Sequence, residues 1–161
     1  MNLKNKVIGG AVGSAIAIAV PFLNKHEGVE YKPYLDVAGV WTVCQGVTGP
    51  DVIKGKTYTQ KECDALLAKH LAIHQLAVDK ALNVNVPVNT RAALYSFSFN
   101  VGTSAMRKST AIRKINQGDI YGGCNALKMF NKITVNGKKV VSKGLVNRRN
   151  AEVELCLSHL R

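Results

Sequence analysis

Glu27-Gly-Val-Glu-Tyr-Lys-Pro-Tyr-Leu-Asp36-Val-Ala-Gly-Val-Trp-Thr42 puts two carboxylates and a hydroxyl within sixteen positions. An acid to protonate a leaving oxygen and a base to activate water are what hydrolysis of a glycosidic bond requires. From Tyr31 to Thr48 the chain is rich in aromatic, Val and Gly residues, punctuated by Lys32-Pro33 and Ala38-Gly39. That pattern predicts a small antiparallel sheet. Glu27 therefore falls at a helix end, with Asp36 and Thr42 on the hairpin after it.

Outward from this stretch the chain reads as helical. Thr59 and Glu62 have capping-box spacing. The helix they open runs to about Leu82, carries apolar stripes through Leu66, Leu67, Leu71, Ile73, Leu76 and Ala77, and is long enough to join two lobes. Further helices are expected over Arg91 to Asn100, Ser109 to Asn116, Asp119 to Phe130, and from Gly144 onward, with a turn at Val135-Asn136-Gly137-Lys138. A small sheet followed by helices makes the fold class α+β. His70 and His74 lie one turn apart, but with no third ligand nearby they read as surface polar residues rather than a metal site. No cofactor is expected.

The chain has 22 Lys and Arg against 10 Asp and Glu, a net charge of +12 that favours a polyanionic partner. Nucleic acid, anionic lipid and bacterial wall polymers all qualify on charge alone. Cys44, Cys63, Cys124 and Cys156 allow three pairings if oxidised, or serve as small buried apolar residues. At the amino end, Lys4 and Lys6 precede seventeen uncharged residues, Val7 to Leu23, more than half of them Gly, Ala, Ser or Pro. A positive start and an apolar run are an export pattern. The run reads as a cleavable signal with Ala17-Ile18-Ala19 as its site, as a permanent anchor, or as a weakly held segment able to leave the bilayer. So small an apolar content disfavours the permanent anchor.

The Glu-Asp-Thr spacing resembles that of the phage-type lysozymes, the endolysins of tailed phages. Ala93-Leu94-Tyr95-Ser96-Phe97-Ser98-Phe99-Asn100-Val101-Gly102 resembles them too, as do the stretch Ser109 to Asp119 and Gly144-Leu145-Val146-Asn147-Arg148-Arg149 with Glu152. The resemblance covers residues 25–157. It implies a two-lobed fold, with a small sheet lobe (about 25–60), a connecting helix (about 60–82) and a helical lobe (about 88–161), preceded by a signal-anchor-release segment over residues 1–24. It also implies inverting hydrolysis of the β-1,4 bond between N-acetylmuramic acid and N-acetylglucosamine, the two carboxyl groups standing about 6.5–9.5 Å apart. Glu27 is then the general acid, which calls for apolar surroundings such as Trp41. Asp36 is the base that orients water, and Thr42 steadies that water. Arg148 supports Glu27, and Asn100, Phe130 and Ser109 meet substrate; for Phe130, core packing is the competing reading.

The implied partners are peptidoglycan and, through residues 7–23, the host inner membrane, with no nucleic acid. The released protein is expected as a periplasmic monomer. While residues 7–23 are in lipid, Glu27 is pinned at the surface, so the tethered form is expected to be inactive. One departure stands out: Cys44-Gln45-Gly46-Val47-Thr48 replaces the Gly-x-Gly-His or His-Gly-His that members often carry. It predicts that no histidine ion pair braces the small lobe. A lytic transglycosylase, or a non-enzymatic cationic protein acting on membrane or wall, are the alternatives. Glu27→Gln separates enzyme from pore former.

Overall fold

Small side chains decide where the chain begins to pack. A computed structural model of the protein describes residues 3–160, with side chains from residue 13 onward. Helix α1 (Leu3–Glu27) is continuous to Glu27. Its Ala15, Ala19 and Leu23, one turn apart, are fully buried, while Ala17 and Pro21 face outward. Alanines let two helix backbones approach closely, and α1 lies along α3 (Val88–Val101) through them. Among the described residues no helix is long and apolar enough to cross a membrane. The second half of the run expected in lipid is here part of the protein core.

After α1 the chain turns at Gly28, whose φ of 70° suits glycine. It then forms a three-stranded antiparallel sheet of β1 (Glu30–Leu35), β2 (Trp41–Cys44) and β3 (Val47–Thr48), in that order. Tyr34 pairs with Thr42 and Leu35 with Trp41, and the register shifts between Glu30 and Tyr34. Pro33 falls in that irregularity, where its missing N–H is tolerated. Val43, Cys44, Val47, Tyr58 and Cys63 form the small lobe's own core.

Helix α2 (Gln60–Ala81) opens with the expected capping box: Thr59 Oγ1 accepts from Glu62 N–H and Glu62 Oε2 accepts from Thr59 N–H. Cys63 at its start belongs to the small core, whereas Leu67, Leu71 and Val78 belong to the large one. One helix thus serves both lobes. The large core gathers α3, α4 (Thr103–Arg107), α5 (Thr110–Asn116), α6 (Ile120–Ala126) and α7 (Lys143–Leu157) around Leu94, Tyr95, Phe97, Met106, Ile115 and Leu127.

Three expectations shift at this scale. Helix α3 starts at Val88 rather than Arg91, because Pro87 needs no partner for a backbone N–H at the cap. The stretch to Phe130 is α6 followed by a single 3-10 turn, Leu127–Met129. The turn at Asn136-Gly137 joins two strands, β4 (Lys132–Val135) and β5 (Lys138–Val141), in a hairpin exposed along its length. Both turn residues have positive φ, 49° and 76°, as a tight two-residue hairpin requires. The four cysteines pair as Cys44–Cys63, tying β2 to α2, and Cys124–Cys156, tying α6 to α7.

Candidate active site

Glu27 is the last residue of α1, so the packing of α1 on α3 fixes where its carboxyl stands. The side chain is 26% exposed and forms an ion pair through Oε1 with Arg148 Nη1. Arg148 comes from the first turns of α7, capped by the Ser142 hydroxyl. Its guanidinium also reaches Glu152 Oε1 at 3.2 Å and the carbonyl of Ser96 at 3.3 Å. Glu152 is fully buried, takes a hydrogen bond from Ser96 Oγ at 2.8 Å, and pairs with Arg149 at 2.7 Å. Burial pushes the Glu152 carboxyl up, against the pull of Arg149 and Arg148, and pushes Arg149 down. Arg149 in turn donates to Asn100 Oδ1 at 2.8 Å.

Between the lobes lies a cavity of about 420 Å³. Its walls are Glu27, the β2–β3 turn (residues 45–47), His70, Ile73 and His74 on α2, and Phe99 and Asn100 at the end of α3. Of the residues expected in the site, Glu27 and Asn100 meet here. Gln45, Ile73 and Phe99 line it as well, although none of the three is legible as a site residue in the sequence. Nor do the two histidines act together: His70 pairs with Asp51 and His74 with Ser98. Trp41 is not among these walls; Lys54 sits over its ring instead.

Asp36 and Thr42 are brought together on the β1–β2 hairpin, not in the walls of that cavity. Asp36 Oδ1 accepts from the N–H groups of Ala38 and Val40 at 2.8 and 2.9 Å, which fixes the turn. This leaves Oδ2 3.4 Å from Thr42 Oγ1. Thr42 is 4% exposed and also donates to Val40 O. Phe130 is half-buried, edge-on to Phe97, and borders a second cavity that shares Asn100 with the first. It therefore packs on the core, the competing reading, while also bordering open space. Ser109 is brought to neither cavity: it is buried, and its hydroxyl oxygen accepts from Ile112 N–H to cap α5. A serine before a short helix serves the helix first.

A histidine–carboxylate contact does brace the small lobe, where none was expected, and the imidazole comes from α2. His70 Nε2 on α2 lies 3.2 Å from Asp51 Oδ2 on the loop after β3, and Lys69 Nζ grips the same carboxylate at 2.9 Å. These two partners hold Asp51 below the usual carboxylate range. A second brace starts at Asn24, one turn before Glu27. Its Oδ1 accepts from Gln45 Nε2, and its Nδ2 donates to Asp64 Oδ1 at 2.8 Å. Asn24 thus joins α1, the β2–β3 turn and α2 beside the cavity.

The phage lysozyme family model matches residues 24–152. The SAR-endolysin of Bacteriophage PS119 is 47% identical over 161 residues, 96% of this chain and 94% of that protein. The endolysin of Escherichia coli O157:H7 phage FAHEc1 superposes with a TM-score of 0.81 at 35% identity, covering 88% of this chain and 91% of that one. The active form of P1 phage endolysin Lyz superposes at 0.76 with 27% identity, covering 89% and 84% of the two chains. The secreted inactive form of the same protein reaches 0.51 at 26% identity, covering 70% and 78%.

Proposed function

Because the chain belongs to the phage lysozyme family, with peptidoglycan as the substrate that membership implies, we propose that it works by inverting hydrolysis of the β-1,4 bond between N-acetylmuramic acid and N-acetylglucosamine. The observation that carries this reading is Glu27, clamped by Arg148 in the wall of the inter-lobe cavity. Glu27 gives its proton to the leaving glycosidic oxygen as the carbon–oxygen bond breaks. Water attacks the anomeric carbon from the opposite face and passes a proton to Asp36 Oδ2, the oxygen left over from the turn, while Thr42 Oγ1 steadies it. The glycan must then run from the cavity across the β1–β2 hairpin. Arg148 positions the acid; Asn100 and Phe130 receive the sugar.

Glu27→Gln, with its fold verified, should lose about 10²–10⁴-fold in wall clearing. Products of the unaltered enzyme should carry reducing ends. Anhydro-sugar ends would instead assign a lytic transglycosylase.

The same reading extends to control. Residues 7–23 tether the chain to the inner membrane during export, and the enzyme acts in the periplasm, as a monomer, after release. Two features support it. Ala15, Ala19 and Leu23 occupy the core here, so they cannot be in lipid while α1 is seated and Glu27 in place. The conformation is also nearer the active than the secreted inactive form of P1 Lyz. A membrane-held form that clears wall as fast as the released one would overturn this part.

A further inference from the structure

We propose that His74 and Ile73 form a recognition site for an N-acetyl group of the glycan. In it the His74 Nε2–H donates to the acetamide oxygen and Ile73 meets the methyl. This rests on the reading of the inter-lobe cavity as the glycan site.

Both residues line the same cavity as Glu27. His74 is held in place: Nδ1 lies 2.9 Å from Ser98 Oγ, and its ring stands edge-on to Phe99 at 5.4 Å. Ser98 is fully buried, and His74 is its side-chain partner. A buried hydroxyl needs an acceptor for its proton. Nδ1 takes that role, which puts the ring proton on Nε2, a nitrogen with no protein partner among the described residues. Burial lowers the His74 pKa, so the ring presents a neutral donor rather than a cation.

Beside it Ile73 is 67% exposed and presents an aliphatic surface to the same cavity. An acetamide is an oxygen acceptor with a methyl attached. A neutral donor next to an exposed aliphatic surface is complementary to both halves. A plain hydroxyl would match only the donor, and an ammonium, which cannot accept, would match neither. Asn100 offers a further donor, Nδ2, because its Oδ1 is taken by Arg149. The two histidines of α2 thereby divide their work, His70 bracing the small lobe and His74 reading the sugar.

The test compares fully N-acetylated wall with wall chemically N-deacetylated at its glucosamine, each digested by wild type, His74→Phe, His74→Gln and Ile73→Ser. Wild type should prefer acetylated wall, and His74→Phe should shrink that preference about tenfold, the worth of one good hydrogen bond. The loss should appear in KM on acetylated wall, with kcat kept. His74→Gln, which retains an amide donor, should recover part of it. Ile73→Ser, at an exposed position, keeps the fold and should also reduce the preference. The charge of the deacetylated sugar acts on all four proteins alike, so the change in preference is the readout. An unchanged preference in folded His74→Phe or Ile73→Ser overturns the assignment. Wild type that releases no reducing ends from either wall would instead remove the hydrolase reading and this one with it.

Discussion

Glu152 holds two guanidiniums with one carboxylate in a place that water does not reach. Removing one partner of such a buried set leaves unpaired charge, typically at about 3–5 kcal/mol. Glu152→Ala should therefore lose that much stability in urea unfolding, and its activity should fall with the population of folded protein. Arg148→Ala differs, because Arg148 touches Glu27 as well; it should lower kcat in protein that is still folded under assay conditions. At this scale the sequence was informative where residues act locally. Thr59 with Glu62 bonds within a few positions and could be read from spacing, whereas Asp36, read as the base, also fixes its own turn through Ala38 and Val40. Asp51 with His70 could not be read from spacing, since 19 positions separate a loop carboxylate from a helix imidazole with no signal between. The missing His-Gly-His pattern reports only that its own position holds no histidine. It could not report that α2 would supply the imidazole instead.

Helix α1 is the element on which the site depends, since it carries both Asn24 and Glu27. Asn24→Ala breaks the link to Gln45 and Asp64 while leaving the Ala15–Ala19–Leu23 stripe intact. We expect kcat to drop several-fold with a smaller change in KM, because loosening the last turn displaces the acid more than the sugar-binding walls. Ala19→Leu tests the stripe itself. Adding a side chain to a fully buried helix contact should cost about 1–3 kcal/mol, seen as a lower melting temperature. The run of Gly and Ala was visible in the sequence, but its buried face was not. Alanine is compatible with lipid and with a helix interface alike, and only the position of α3 decides. The β4–β5 hairpin shows the converse: Asn136-Gly137 announced a turn, while Lys132 to Val141, exposed at every residue, has no buried face to mark either strand.

Across the whole molecule, protons and cross-links set the conditions under which it holds together. Burial lowers His74, and burial together with Arg148 and Lys25 lowers His26. Their unfolded forms therefore bind protons first as pH falls below about 6.5, which favours unfolding. Asp51 is lowered by Lys69 and His70, so its contribution is present above its unfolded value near 3.8 and is lost as pH falls through the folded one. Melting temperature should decline from pH 7 towards pH 5 and again below pH 4, and His74→Gln should flatten the first decline. The two disulfides close loops of 19 and 32 residues. Chain entropy makes each worth roughly 3–4 kcal/mol, so Cys124→Ser with Cys156→Ser should lower urea stability by about that amount. Four cysteines permit three pairings, and which pair meets is a property of the assembled lobes, invisible to spacing.

On the tether-and-release reading, the Ala15–Ala19–Leu23 stripe answers to hydrocarbon at one time and to the flank of α3 at another. Bulkier side chains would prolong the first residence and block the second; polar ones would shorten the first and spoil the second. Side-chain volume along this stripe is thus confined to a narrow band. A graded Ala-to-Val-to-Leu series there would act as a clock, setting how long the cell survives before its wall is cut.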